Sequence, residues 1–492
     1  MHNVKGRVLA LCFLALSLSA TSALGGGVRS HTLTAEQQRA DLAQLYRSLQ
    51  EAHFNLFARV SKPEYDRRYS HTLGEIREPA SQQAVALRFQ RFVAFGKVAH
   101  ARIDASYRNF AQFMHRGGKS FPLLIRVANG KIYVTENRSG VAAIARGDEL
   151  TALNGQPIAY WLARCGRNLS ADTAYMANAL MELDFPMLLW LELGQRDSFK
   201  VTVRHAGGNA LQTVAVPARS EAAMKSWAAK QPPVLRLDGT QRAARMMDGR
   251  VAYLRPGAFY NTDPAAVNEY DNGRFRSFID SAFRSFLAAG AKSLVIDLRD
   301  NPGGDSSFSD IMLAWFATKP FKFASSFKIR VSREAIASNA RRLKVSPGNS
   351  QDISHQFAAL YAGARPGDIV SFPVQETAPR PEPRFNGKVY LLMNRNSYSN
   401  CVAVAATVQD YGFGTVIGEE TADLAATYGA METFTLAQSG LDVGFPKAHI
   451  VRPNGNETAR GAVPDRVITT PVVEDTTDPV LRQAIALART GR

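Results

Sequence analysis

The sequence predicts an α/β protein with several domains, and three observations support this prediction. Residues 32–116 carry apolar residues at helical spacing, residues 117–217 contain short β-like runs, and residues 250–475 alternate strand-like and helix-like segments. Such alternation is typical of an α/β core. With 492 residues, of which 46% are hydrophobic, the chain is long enough for roughly two to four domains.

Residues 1–24 are interpreted as a cleaved secretory signal peptide. A basic start (Lys5, Arg7) precedes the apolar run Val8–Leu18, and small residues follow this run. The alternative, a membrane anchor, needs about 20 apolar residues, and this run is shorter. We therefore expect a mature protein that is periplasmic or secreted and is not embedded in a membrane.

The region 32–116 is predicted to be an α-helical N-terminal domain. The apolar positions of its first helix are Leu42, Leu45, Tyr46 and Leu49. A second amphipathic helix is predicted over residues 83–95, and His100 follows it. A single histidine after a helix is more often structural or exposed than catalytic, so periodicity alone assigns no role to His100.

The middle of the chain is predicted to hold a β domain and a linker. Residues 117–217 contain the β-like runs FPLLIRV, KIYVTE and FKVTVRH. Residues 218–249 are polar and contain alanine and lysine residues, which indicates a linker. The core 250–475 follows, and residues 476–492 are assigned to a C-terminal tail.

A glycine-containing turn follows the apolar strand Leu294–Leu298 in the predicted core and holds Gly303 and Gly304. Glycine lets the backbone approach a ligand closely, so the N–H groups of this turn are candidates for an oxyanion site. The long segment 305–388 comes next and has a proline-rich end. It is interpreted either as a lid over the cleft or as a surface excursion.

The stretch Val389–Thr421 has the pattern of a strand, a sharp polar turn, an apolar helix and a second strand, and Ser399 lies in its turn. A serine at a strand-to-helix junction can project its hydroxyl into a cleft, where N–H groups at the helix start face developing negative charge. Acyl transfer requires this arrangement. The alternative is that Ser397 or Ser399 only caps the helix, and the turn alone does not decide between the two.

Taken together, the two stretches resemble the C-terminal-processing (tail-specific) serine peptidase family. That family carries a D-L-R-x-N-x-G-G strand end and a later block with S-x-S, Q-D-Y-G and G-E-x-T. The matching segments here are Asp297–Gly304, Ser397–Ser399, Gln409–Gly412 and Gly418–Thr421. The resemblance implies a catalytic core with the ClpP/crotonase-like ββα spiral fold, inside an α/β protein that also has the α-helical N-terminal domain.

The same resemblance implies roles for individual residues. Ser399 stands at the position of the nucleophile, and the oxyanion hole would be formed by the N–H groups of Gly303, Gly304 and Asn400. Many members of the family use a lysine base a few residues after G-E-x-T. Leu424 occupies that position here, so a Ser/Lys dyad is disfavoured.

The tricorn-like branch of the family uses a histidine base supported by a glutamate. His100, in GKVAHA, and Glu457, in ETARGAVPD, match the positions of these two residues. The resemblance therefore implies that His100 is the general base, with a pKa near the ordinary histidine value of about 6.5, and that Glu457 orients it. His449 is the rival base because it lies in the same C-terminal segment as Glu457. His53, in a second element similar to that branch, is assigned a structural role.

The segment Gly140–Gly155 resembles the core of PDZ domains, so the region 117–217 is interpreted as a PDZ-like β domain. Such a domain offers a sheet edge to which an extended peptide adds as a strand. The alternative is a structural subdomain that binds nothing, because Met176–Leu193 is a long apolar insertion and no carboxylate-binding loop is evident.

Composition bounds the remaining chemistry. After loss of the signal, Cys165 and Cys401 could form a disulfide, but a buried thiol is the preferred interpretation of Cys401. The net charge of +16 is spread along the chain, which does not indicate a nucleic-acid binder. Neither an H-x-x-x-H cluster nor a phosphate-binding glycine loop is present, so we expect no metal and no cofactor.

The sequence thus predicts an exported serine peptidase that cleaves envelope or extracellular proteins through an acyl-enzyme on Ser399, with peptides or unfolded proteins as substrates. A first alternative is a catalytically inactive, PDZ-bearing scaffold protein that binds peptides. A second is acyl-CoA chemistry on the crotonase-like core, which the export signal disfavours. The sequence makes no prediction of oligomeric state.

Overall fold

The computed structural model describes residues 32–231, 235–247, 250–266, 268–345, 353–473 and 477–490. The predicted signal peptide, residues 1–24, lies outside the described residues. Within those ranges, no helix combines the length and apolar character that a bilayer crossing requires.

The N-terminal region is helical, in agreement with the periodicity of its sequence. Thr34 begins the first helix with a capping box that it forms with Gln37. The elements are β1 (Thr32–Leu33), α1 (Ala35–Ala52), α2 (Lys62–Glu75), β2 (Ala80–Ser81), α3 (Gln82–Ala94) and α4 (Ala105–His115). The buried residues of α1 and α3 pack in one core with those of a second, later sheet, so this region does not stand apart from the rest of the chain.

The next region is a mostly antiparallel sheet with two helices. Its elements are β3 (Lys119–Ser120), β4 (Leu123–Ala128), β5 (Lys131–Asn137), β6 (Glu149–Leu153), β7 (Gln156–Pro157), α5 (Ile158–Gly166), α6 (Ala174–Leu193), β8 (Ser198–Arg204), β9 (Leu211–Pro217) and β10 (Arg219–Ser220). The strand order is β4-β5-β6-β8-β9, with β7 paired to β6. The apolar helix α6 shares the core of this sheet.

The remaining elements build the parallel core sheet, the helices that cover it and an attached sheet. They are α7 (Glu221–Ala228), β11 (Ala243–Met246), β12 (Val251–Arg255), α8 (Gly273–Ala288), β13 (Ser293–Asp297), α9 (Ser306–Leu313), β14 (Ser326–Arg330), α10 (Arg333–Val345), α11 (Ile353–Ala362), β15 (Ile369–Ser371), β16 (Lys388–Met393), α12 (Asn400–Tyr411), β17 (Thr415–Gly418), β18 (Thr427–Thr435), β19 (Asp442–Val451), β20 (Arg466–Val467) and α13 (Pro479–Thr490).

The core sheet has the order β11-β12-β13-β16-β17-β20 and is parallel from β12 to β20. Helices α8, α9 and α12 cover one face and α13 covers the other. A parallel sheet needs cover on both faces, which explains the continuous apolar runs of β13 and β16. The α/β prediction is confirmed.

Three segments are more integrated in the fold than the sequence suggested. The linker 218–249 supplies β11, the edge strand of the core sheet, and the tail 476–492 supplies α13. Asp478, at the start of α13, forms an ion pair with the buried Arg299, with a separation of 2.6 Å. The segment 305–388 contributes β14 and β15 to a sheet of order β15-β14-β19-β18. The contacts of α13 with the core sheet and the pairing of β14 with β19 are long-range in sequence, and local patterns do not report them.

Candidate active site

Ser399 lies in the turn between β16 and α12 and has a strained backbone. Its φ is 54° and its ψ is −125°, a conformation that a residue with a Cβ rarely adopts. It occupies the N-cap position of α12, yet its side chain makes no capping hydrogen bond. The side chain is half-buried and lines a cavity. The simple capping alternative therefore does not describe Ser399.

Ser397 has a different environment although it belongs to the same turn. It is fully buried, donates its hydroxyl to the Leu298 carbonyl at 2.8 Å and accepts the Asn394 N–H at 3.0 Å. Its hydroxyl is thus used to attach the turn to the end of β13, and Ser399 is the serine of this pair that faces the cavity.

The turn at Gly303 packs directly against the Ser399 turn. A Cβ built on Gly303 would lie 2.4 Å from the Tyr398 carbonyl oxygen and 2.9 Å from the Ser399 Cβ. The Tyr398 N–H also donates to the Asn301 carbonyl at 3.0 Å. Glycine is required at position 303 because the two turns approach more closely than any side chain allows.

The N–H groups of the three predicted oxyanion donors are not equivalent. The Gly303 N–H donates to Asn301 Oδ1 at 2.9 Å, so it is already engaged. The N–H groups of Gly304 and Asn400 have no acceptor among the described residues, and both residues line the same cavity as Ser399. The structure therefore offers the N–H groups of Gly304 and Asn400 as donors. Gly303 instead allows the two turns to pack closely, because it has no side chain.

His100 follows α3 and opens onto the same cavity as Ser399. Its ring is 3% exposed, and its centroid is 5.4 Å from that of Tyr398, the residue before Ser399. Its Nδ1 is buried and has no hydrogen-bond partner among the described residues. The fold thus brings together a histidine and a serine that are far apart in sequence.

Burial and, to a smaller extent, the charge of Arg102 lower the pKa of His100 to about 4, although the charge of Asp172 opposes this. This pKa is below the ordinary histidine value of about 6.5 that the sequence suggested. The imidazole is therefore neutral at physiological pH, which is the form that can accept a proton from a serine hydroxyl.

Asp172 is the carboxylate whose charge acts on His100. It lies in the loop between α5 and α6, and its side chain is 3% exposed. It accepts the Ala99 N–H at 3.0 Å and the Arg59 Nε–H at 2.8 Å, so it fixes the segment that carries His100. The sequence analysis missed Asp172 because no motif marks it and it comes from a different part of the chain.

The structure does not bring Glu457 to His100. Glu457 is exposed, in a loop whose Asn456 side chain accepts the Thr458 N–H at 2.8 Å. Its charge acts on His449 instead and raises the pKa of that residue against the stronger, lowering effect of burial. A short motif fixes local sequence, but the path of this loop decides which histidine the glutamate meets.

His449, the rival base, packs against aromatic side chains outside the cavity. Its ring centroid is 5.0 Å from that of Tyr428 and 5.7 Å from that of Phe54. Tyr428 is paired with His449, and the next pair along the strands, Thr427 and Ile450, lines the cavity. His449 itself is not among the residues that line the cavity with Ser399.

Other titratable groups nearby are engaged or protonated. Lys447 lines the cavity but forms a buried ion pair with Glu432 at 2.6 Å; burial lowers the pKa of Lys447 to about 8, although Glu432 opposes this. His53 is buried and its Nδ1 accepts the Asn55 N–H at 3.1 Å. Cys165 and Cys401 are free buried thiols, and burial raises the pKa of Cys401.

The cavity has a volume of about 240 Å³ and a mixed lining. Beside the residues already named, its walls include apolar side chains from the segment 305–388, such as Phe327 and Phe357. That segment thus forms a wall of the cavity. Within the described ranges, no group of His, Cys, Asp and Glu side chains is placed to hold a metal ion.

Comparisons with known proteins give a matching family model and structures of similar fold. Residues 250–468 match the model of peptidase family S41. The structure of mature CPAF complexed with lactacystin is similar to this chain with a TM-score of 0.63 and 13% identity, over 93% of this chain and 98% of that one.

A second structure of mature CPAF gives a TM-score of 0.58 and 15% identity, over 89% of this chain and 93% of that one. The photosystem II D1 C-terminal processing protease gives 0.44 and 14%, over 92% and 97%. At these identities the likeness is one of fold. A search of curated protein sequences found no match.

Proposed function

We propose that Ser399 and His100 carry out the hydrolysis of peptide bonds by this protein. The chain belongs to peptidase family S41 through residues 250–468 and is a serine-type peptidase. One observation carries this proposal: a strained serine opens onto the same cavity as a neutral imidazole and two unengaged backbone N–H groups. Acyl transfer requires a nucleophile, a base and donors to the oxyanion, and these groups supply all three.

In the proposed mechanism, His100 accepts the proton of the Ser399 hydroxyl as the oxygen attacks the carbonyl carbon of the substrate. The N–H groups of Gly304 and Asn400 donate to the oxyanion that develops on the substrate. The imidazolium then protonates the leaving amine, and an acyl-enzyme remains on Ser399. Water, activated by the neutral His100, hydrolyses the acyl-enzyme and regenerates the serine.

Asp172 is assigned the role of the acidic group in this proposal. Its negative charge raises the pKa of His100 and so stabilises the imidazolium that forms during the reaction. Glu457, which the resemblance to the tricorn-like branch implies for this role, acts on His449 in the structure. The proposed set is therefore Ser399, His100 and Asp172, and the variants described below separate it from the set with Glu457.

Peptides and unfolded proteins are the proposed substrates, and the PDZ-like region is proposed to act mainly as support. The outer edge of β4 is already engaged: the Val127 N–H donates to Glu182 Oε1 at 2.7 Å, and Arg395 Nη1 donates to the Val127 carbonyl at 3.2 Å. A peptide strand that added to this edge would have to displace both contacts. Titration of the S399A variant with peptides that end in a free carboxylate checks this, because a support region gives no saturable binding.

Export and envelope substrates are also proposed, on the basis of the basic start and apolar run in residues 1–24. Cell fractionation and N-terminal sequencing test this part independently of catalysis. A mature N-terminus near residues 24–26 in the soluble envelope fraction is the expected result. Intact Met1 on a membrane-embedded protein contradicts it.

The catalytic proposal is tested by covalent labelling with a fluorophosphonate, which reacts with activated serines. We expect one adduct on the folded protein, located at Ser399 by peptide mass spectrometry, and no adduct on the S399A variant. Lactacystin, the compound in the CPAF complex, is a second probe of the same cavity. A folded wild-type protein that neither probe labels and that cleaves no peptide contradicts the proposal and favours the inactive scaffold alternative.

A further inference from the structure

Asp423 is a buried carboxylate that contacts the nucleophile and has no role in the mechanism described above. It lies between β17 and β18 and is fully buried. Its Oδ2 accepts the backbone N–H of Ser399 at 2.7 Å, and its Oδ1 accepts the N–H of Leu424 at 2.9 Å. The sequence analysis passed over this residue, because only the missing lysine at position 424 was noted.

The hydrogen bond to Asp423 holds Ser399 in its strained backbone conformation. A serine with a φ of 54° stays in that conformation only when its surroundings hold it. The Ser399 N–H is directed to Asp423 and so is not available to an oxyanion, which leaves Gly304 and Asn400 as the donors. The orientation of the Ser399 main chain thus determines both the direction of its hydroxyl and the composition of the oxyanion hole.

The loop that carries Asp423 is itself rigidly held. The Thr421 hydroxyl donates to the Asp423 carbonyl at 2.9 Å and accepts the Ala462 N–H at 2.8 Å. A Cβ built on Gly461 would lie 1.9 Å from the Thr421 carbonyl oxygen, so the two loops are in direct backbone contact. Asp423 therefore holds Ser399 from a fixed support.

We propose that Asp423 is a positioning residue for catalysis, whose ionised carboxylate holds the Ser399 main chain in the strained conformation that directs the hydroxyl into the cavity. This inference rests on the proposed function of Ser399. It assigns to Asp423 no contact with the substrate and no proton transfer.

The charged surroundings of Asp423 make its ionisation observable. Burial raises the pKa of Asp423 to about 7; the two backbone hydrogen bonds oppose this, and the negative charge of Asp172 adds to it. Asp172 is paired with Arg59, and His100, on which Asp172 also acts, has a pKa lowered to about 4.

The sign of the pH effect follows from these directions. As the pH rises through about 7, His100 with its pKa of about 4 is already neutral, whereas Asp423 changes from its neutral to its ionised form. A carboxylate accepts N–H hydrogen bonds more strongly than a carboxylic acid does. Activity should therefore rise with pH through an ionisation near 7 that belongs to Asp423, and His100 should titrate at lower pH.

The test compares D423N with a matched control, D41N. Asp41 is also fully buried and accepts two backbone N–H groups, those of Gln438 and Ser439, each at 2.8 Å, but it does not line the cavity. We expect D423N to lose roughly 10- to 100-fold in kcat with little change in KM, as for the loss of a hydrogen bond to a charged acceptor. We also expect its ionisation near 7 to disappear. D41N should change thermal stability but neither kcat nor the pH profile.

Two results overturn the inference. One is a D423N variant that keeps the ionisation near 7 and loses no more activity than D41N. The other concerns the wild type and remains informative if D423N does not fold: the rate of fluorophosphonate labelling of Ser399 shows no ionisation near 7. A failure of the proposed function is distinguishable, because the S399A variant would then retain activity.

Discussion

The two histidines near the β18–β19 pair, His100 and His449, have different surroundings. His100 faces a cavity that it shares with a strained serine and two free N–H groups, whereas His449 lies outside that cavity, in contact with the rings of Phe54 and Tyr428. His449 has a carboxylate, Glu457, in its own segment, and His100 draws on Asp172 from a distant loop. Proximity in sequence therefore does not indicate which carboxylate acts on His100, because the fold brings Asp172 to it from a separate loop.

Replacing the groups on the cavity side should have the largest effect. S399A and H100A should each lower kcat by about 10⁴-fold or more, because members of a catalytic unit fail together. Steady-state peptide cleavage measures this, and the double variant should be no worse than either single one. Near wild-type turnover in H100A would show that the cavity side has been identified wrongly.

Adding a methyl group at Gly303, where its turn packs against the Ser399 turn, should have the next largest effect. G303A places a methyl group 2.4 Å from the Tyr398 carbonyl oxygen, so the Ser399 turn must shift. We expect a loss of about 100-fold or more in kcat, since a displacement of about 1 Å has that cost.

The matched control for this variant is G117A. Gly117 has a φ of 86°, close to the 85° of Gly303, but nothing lies near its Cβ position. It should cost about 1–2 kcal/mol in unfolding free energy for the left-handed backbone and leave kcat unchanged. Equal kinetic effects of the two variants would mean that the close approach of the turns has no role in catalysis.

Neutralising Asp172 should have a moderate effect. D172N removes the charge that raises the pKa of His100, so we expect kcat to fall about tenfold and the pKa of His100 to fall below about 4. NMR titration of the imidazole and peptide kinetics measure the two quantities. D184N is the control, because Asp184 is a buried carboxyl of α6 that accepts the Tyr107 hydroxyl and is not among the groups acting on His100. If the two variants behave alike, Asp172 has no specific function.

Replacing His449 or Glu457, which lie outside the cavity, should have the smallest effect. H449A and E457Q should each alter kcat less than about threefold, since surface substitutions away from a site usually change little. A loss of several orders of magnitude in either one would reverse the comparison and restore the set with Glu457.

The sequence was sufficient for the parts of the site that are local. A strand followed by a polar turn and an apolar helix predicted the place of Ser399 and Asn400, and the paired glycines predicted a backbone that approaches closely. The engagement of the Gly303 N–H by Asn301 was not predictable, because it depends on the shape of a single turn. Asp172 and Asp423 were missed for a different reason: each reaches its partner only after separate loops have packed, and no spacing rule describes that.

The same limit applies to the fold. Period and composition predicted the alternation of strands and helices in the core, but they assigned β11 to a linker and α13 to a tail. Both elements are recognised only by what they pack against, namely β12 for the first and the second face of the core sheet for the other.

The position of α13 has a consequence for the order in which the protein can be made. Its residues Val480, Leu481 and Ala484 cover apolar side chains of β12, β13 and β16, all of which leave the ribosome earlier. Until α13 emerges, one face of the parallel sheet stays open to water, and such exposed surface is prone to aggregation. A growing chain can thus form its helical N-terminal region early, while a complete catalytic core must wait for its last helix.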